Sequence, residues 1–280
     1  MRRCLSDVLK AKNFDYKVEY QRLYSLFYKT IVKEGRYCDE ISLYEHCSKY
    51  FLRFPLFLRS TCVSLKDFND EFNYKYIYWY AIDTIDELIS FCEYSYNLTM
   101  YLGNSCTVYS SDISSEYGRF YIDQILYVIE KFGYMQNKKD GITDFVPKNP
   151  AAIAVAEIID EDLAYDVIEY NHHSMRGDLL AKKTTLLRFA NLLEPKRSDL
   201  KAVNEKLSVN IFFMFNNLDL RHNNSTDGDK NYQQYTEQMS KTDLEVWYDE
   251  LYQMCLLAFL ELDNIERTEK VDALKKNYKS

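Results

Sequence analysis

The sequence predicts an all-α protein with one small β-hairpin near its middle. Apolar residues recur at helical spacing across most of the 280 residues. Only 7 Gly and 4 Pro interrupt them, so the elements are long. At Asp140-Gly141, between the β-compatible runs "YMQ" and "ITDFV", Gly supplies the positive φ of a tight turn. With 47% hydrophobic and 28% charged residues, the composition is that of a folded chain. It is long enough to bury a core without staples.

In the first half, Tyr20, Leu23, Tyr24, Phe27 and Ile31 mark one helix face, with Gly35 placed to end it. "CDEISLYEHCSKYFLRF" forms a second helix, stopped before Pro55. "DEFNYKYIYWYAIDTIDELISFCEYSYNLTMYL" reads as one long third helix with Asp70 as N-cap, and "SSEYGRFYIDQILYVIEKFG" as a fourth that ends at Gly133. Residues 1–133 form a tyrosine-rich helical domain, 134–150 a hairpin and linker, and 151–280 a second helical domain. There Pro150 opens a helix, "EDLAYDVIEYNHH" makes the next, and "SMRGDLLAKKTTLLRFANLLE" runs to Pro195. From Pro195 an apolar stripe continues through Leu200, Val203, Leu207, Ile211, Phe215 and Leu218 to Arg221, about 25 residues or roughly 37 Å of helix. A long polar loop follows. Ser240 and Asp243 then cap a last apolar helix, and the charged "RTEKVDALKKNYKS" closes the chain.

The formal net charge of -8 argues against broad non-specific DNA binding, which requires a basic surface to neutralise phosphates. The 7 cysteines include no C-x-x-C pair, the start lacks a signal-peptide core, and no run of about 18 apolar residues occurs. A reduced, cytoplasmic protein with no membrane span is expected, and in that setting the Asn97-Leu98-Thr99 sequon has no meaning. No metal or other cofactor is expected. Adjacent His172 and His173 would point about 100° apart on a helix, so a loop between helices is the preferred reading. From Asp227, an EF-hand would require Gly where Tyr232 stands and Glu where Gln238 stands.

Two features carry candidate chemistry. Between Met175 and Lys201, seven basic residues face three acidic ones. Lys182, Lys183, Arg188, Lys196, Arg197 and Lys201 are the candidate RNA-binding positions, with a solvated helix face as the alternative. The second feature is "FNNLDLRHNNSTDGDKNY". There Arg221 could hold phosphate oxygens, His222 could move a proton near neutral pH, and Asn223 could orient the loop. A helix C-cap explains the same residues without function: His meets the negative end of the dipole, and Asn223 or Asn224 takes the left-handed cap conformation.

The second half resembles the HEPN superfamily of helical domains. The long amphipathic helix running into "FMFNNLDLRHNN", the polar loop after it and the apolar helix "WYDELYQMCLLAFLELDNIER" carry the resemblance, over roughly residues 150 to 275. It implies a metal-independent endoribonuclease of anti-phage defence, abortive infection or a toxin–antitoxin system, acting on RNA as a homodimer beside an antitoxin or effector partner. The alternative it implies is a non-catalytic adaptor that binds RNA or protein. The family separates its Arg and His, whereas here His222 directly follows Arg221 and no His occurs downstream.

Overall fold

The structure, a computed structural model, describes residues 14–33, 40–76, 81–105 and 113–279. It is all-α with small two-stranded sheets, and divides into two compact units at Phe145 and Val146.

In the first unit, Asp15 caps α1 (Tyr16–Tyr28). Ile31 does not extend that helix. It begins β1 (Ile31–Lys33), which pairs antiparallel with β2 (Glu40–Ser42) in the register Ile31↔Ser42, a second strand pair beyond the single hairpin expected. The helix stop expected at Gly35 lies outside the described residues. Ser42 and Glu45 form a reciprocal capping box that starts α2 (Leu43–Tyr50). A 3-10 turn and the short α3 (Leu56–Arg59) follow.

The long third helix is in fact broken. Ser64, not Asp70, caps α4 (Leu65–Glu71), and Asn73 takes φ 57°. The next helix, α5 (Ile85–Ser105), starts where Glu87 accepts from the Asp83 and Thr84 amides at 2.7 and 2.9 Å. A left-handed residue cannot continue a right-handed helix, so the apolar spacing on either side belongs to two elements. α6 (Ile113–Lys131) ends before Gly133 at φ 79°. β3 (Tyr134–Lys139) and β4 (Ile142–Pro147) are joined by Asp140 and Gly141 at φ 51° and 86°, the double positive φ of a type I′ turn. Buried Asn97 fastens this hairpin to α5: its amide donates to Thr143 O at 2.8 Å and accepts from Thr143 N at 2.9 Å.

In the second unit, Asn149 caps α7 (Pro150–Ala156), with Pro150 in the first turn. α8 (Glu161–Glu169) follows, then a 3-10 turn over His173–Met175, and Asp178 caps α9 (Leu179–Leu193). The stripe after Pro195 is not one helix. Asn204 (φ −145°, ψ 85°) separates α10 (Arg197–Val203) from α11 (Glu205–Asn217), and its side chain caps α11 by accepting from Leu207 N at 3.0 Å. α11 therefore ends four residues before Arg221. The polar loop contains the short α12 (Gln234–Glu237). α13 (Lys241–Lys279) then runs for 39 residues and absorbs the charged tail. Leu251, Cys255, Leu256 and Ala258 of α13 join Leu186, Phe189, Ile211 and Phe215 in the core of this unit. Among the described residues, no helix is long and apolar enough to cross a membrane.

Candidate functional site

The left-handed residue after α11 is Asp219 (φ 54°), not Asn223 or Asn224 as the cap reading expects. The chain then doubles back, and Arg221 N donates to Phe215 O at 3.1 Å. Asn224 pins the turn. It is 1% exposed, accepts from Asp219 N at 2.9 Å, donates from its side chain to Asn231 O at 2.6 Å, and its own N–H meets the Asp219 carboxylate at 3.1 Å. Gln233 N returns to Asn224 O at 2.9 Å, so one buried amide closes the loop from both sides.

Arg221 is committed to holding helices together. Its guanidinium donates to Ala190 O at 3.1 Å, pairs with Glu194, and lies 5.2 and 5.6 Å from the Phe215 and Phe212 ring centroids. It thus closes the exposed C-terminal end of α9 against the aromatic face of α11. His222 and Asn223 are exposed, and among the described residues His222 makes no hydrogen bond or ion pair. Arg221 is tied to the bundle, whereas its neighbour His222 is exposed.

The candidate basic strip is largely neutralised by carboxylates from other elements. Lys182 does not lie on an open face. It is 4% exposed, and its Nζ binds Glu245 at 2.8 Å and Asp249 at 2.6 Å while lying 5.4 Å from the Tyr170 ring centroid. The helical spacing Lys182, Leu186, Phe189, Leu193 explains this, because the lysine occupies the buried face of α9. Lys183 reaches Asp219 at 3.4 Å, Arg188 pairs with Asp166, Arg197 lies near Glu194 at 3.7 Å and over the Phe212 ring, and Lys201 pairs with Glu205 at 3.2 Å. Lys196 is exposed, with no ion pair among the described residues.

Around Lys182 lies a polar network that sequence reading did not single out. The Tyr170 and Tyr252 rings stack at 4.0 Å with a 3° interplanar angle. Tyr170 Oη donates to Asp249 at 3.0 Å, Tyr252 Oη donates to Val167 O at 2.6 Å, and Asn171 Nδ2 donates to Tyr252 Oη at 2.9 Å. Burial and the charge of Asp249 push the Tyr170 phenol far above its ordinary range. The Lys182 hydrogen bond, followed by that from Gly177 N, holds the Glu245 carboxyl below the usual carboxylate range. The available signal was the i, i+4, i+7 spacing of Glu245, Asp249 and Tyr252, which places them on one face of α13. Nearby, His172 Nδ1 lies 2.7 Å from Ser174 Oγ, within the 3-10 turn between helices.

An apolar surface of the second unit is open. Phe213, Tyr235 and Trp247 are 61%, 71% and 42% exposed, and they border a cleft of about 230 Å³ floored by Met214 and Leu218. No family model, curated protein or solved structure matches the chain.

Proposed function

We propose that the chain is a non-catalytic helical interaction module, HEPN-like in its second unit, that binds a protein partner. The observation that carries this reading is the open apolar surface of Phe213, Tyr235 and Trp247. Large apolar side chains grouped around a cleft are an expensive surface to leave in water and suit a protein contact. The competing ribonuclease reading needs Arg221 free to receive a phosphate and His222 aimed at the same atom. Arg221 instead fills its guanidinium with Ala190 O, Glu194 and two aromatic rings. Phosphate binding there would first break these contacts. The ion-paired basic residues likewise offer little uncompensated charge to RNA. The HEPN resemblance implies a setting in the cytoplasm, within anti-phage or toxin–antitoxin systems.

The test is incubation of labelled single-stranded RNA with the full chain in EDTA, alongside a binding titration. We expect intact RNA and no tight binding. Cleavage that disappears in a correctly folded His222→Ala variant would replace this reading with the ribonuclease.

A further inference from the structure

The first unit holds a cavity of about 240 Å³ with aromatic walls. Phe68, Phe72 and Tyr74 form one wall, with Phe68–Phe72 and Phe68–Tyr74 ring centroids 4.8 and 5.7 Å apart. Phe57 lines it as well. Its ring stands edge-on to Tyr101 at 5.4 Å, and a Cβ at Gly141 would meet it at 2.8 Å, so the β3–β4 turn holds this ring in place. Phe57 and Phe72 are nevertheless 50% and 48% exposed. Burying them against a ligand removes that apolar surface from water.

Two carboxylates, Glu93 and Asp144, line the same cavity, and its described lining residues include no Lys, Arg or His. Both act on one phenol: burial raises the Tyr74 pKa, and the charges of Glu93 and Asp144 raise it further. Glu93 accepts from Phe145 N at 2.7 Å, which uses one of the about four acceptor sites of an ionised carboxylate. Buried Asn97, another lining residue, is taken up by Thr143. The backbone of the lining is strained at Ser60, which sits at φ 54° and ψ −136°. Arg59 enforces this turn by donating to Phe54 O at 3.0 Å and Cys62 O at 2.9 Å. Strain of this kind persists only where surrounding contacts over-determine it, and it concentrates at ligand sites.

We propose that this cavity binds a small aryl-alkyl ammonium ligand, its ring among Phe57, Phe72 and Tyr74 and its ammonium against Glu93 and Asp144. The site belongs to the first unit, whereas the interaction surface belongs to the second, and neither requires the other. Size and charge both match. A cavity of about 150 Å³ holds a benzene-sized molecule, so one ring with a short arm suits 240 Å³, which is too little for the face of a helix. Aromatic walls attract a cation through the ring quadrupole. The carboxylates add charge-assisted hydrogen bonds, which are shorter and stronger than neutral ones. An anion of the same shape would meet two like charges and is rejected.

Titration of the full chain with 2-phenylethylamine, 2-phenylethanol and phenylacetate at neutral pH, followed by calorimetry and ligand-observed NMR, tests this site. The amine should bind about ten-fold or more tighter than the isosteric alcohol, and the acid should not bind. Glu93→Gln and Asp144→Asn keep the side-chain shapes and remove the charges. Each should weaken the amine about five-fold or more and leave the alcohol unchanged. Phe72→Leu, at a half-exposed wall position, should weaken amine and alcohol alike, with the circular dichroism of the wild type. Where Glu93→Gln disturbs the hairpin through Phe145 N, the partly exposed Asp144 and Phe72 positions carry the test. An alcohol that binds as tightly as the amine, no amine binding up to millimolar concentration, or charge variants that bind the amine like the wild type would each overturn the site. Any of these results leaves the interaction surface of the second unit standing.

Discussion

The two units bury polar groups in different ways. In the first, tyrosines supply much of the apolar bulk and many of the hydrogen bonds, beside the buried Glu19 paired with Arg22 at 2.7 Å. Phe27 stacks on Tyr121 at 5.5 Å, Tyr121 Oη donates to Ser95 Oγ at 3.0 Å, and Tyr94 Oη donates to Asn69 at 2.9 Å. The phenols there are neutral, and burial drives the Tyr94 and Tyr121 hydroxyls well above their ordinary values. In the second unit a buried cation, Lys182, meets two carboxylates beneath a stacked tyrosine pair, and Arg221 closes a helix end. A neutral hydroxyl needs one partner, but a buried charge needs several. The difference teaches that cations in the second unit are spent on packing before any are free for a ligand.

The largest effect should come from removing the centre of the charged network. Tyr252→Ala loses the stack on Tyr170 and the bond to Val167 O, and should cost about 3–5 kcal/mol, as for other fully buried aromatics. The measurement is denaturant-dependent alkylation of Cys255, the one cysteine of residues 146–280, resolved by peptide mass spectrometry. Cys255 is buried and its thiol is pushed up by desolvation, so it reacts only when this unit opens.

Lys182→Met keeps the apolar stem and strands Glu245 and Asp249. It should cost about 2 kcal/mol, less than a fully buried pair because both carboxylates are partly exposed. The same change flattens the pH dependence. Glu245 has a depressed folded pKa, so its contribution is present above the unfolded value of about 4.3 and is lost as pH falls through the folded one. Denaturation between pH 7 and pH 3 should show this acid loss in the wild type and a smaller one in Lys182→Met. An identical acid profile in both would show that Lys182 does not set the Glu245 titration.

Asn224→Ala should cost about 1–2 kcal/mol by removing the amide that pins the loop to Asp219 and Asn231, and should speed proteolysis between 223 and 233. The smallest effect belongs to the first unit. Tyr121→Phe removes one neutral hydrogen bond, costs about 1 kcal/mol, and leaves Cys255 protection unchanged. A Tyr121→Phe loss as large as that of Lys182→Met would erase the contrast between the units.

The helical class, the Asp140-Gly141 turn, the Pro150 start and the Ser240 cap were legible because each depends on a few consecutive residues. So was the apolar face of α13, since periodicity survives without knowledge of a partner. The breaks at Asn73 and Asn204 were not. Both interrupt apolar patterns that spacing alone continues, and in each case an asparagine adopts a backbone that helical periodicity does not record. The short β1–β2 pair was hidden as well, because three-residue strands carry too little alternation to read.

For the candidate site, the sequence by itself determined which residue types meet at the end of α11: an arginine, an imidazole and amides beside a polar loop. Only the tertiary structure decided their roles. Arg221 finds Glu194 and Ala190 O, Lys182 finds Glu245 and Asp249, and Asn224 rather than Asn223 becomes the buried amide. The physical reason is that a charge is defined by what lies within a few ångströms of it. Ala190 and Glu194 stand 31 and 27 positions before Arg221, and Glu245 and Asp249 stand 63 and 67 positions after Lys182, separations that local spacing does not encode.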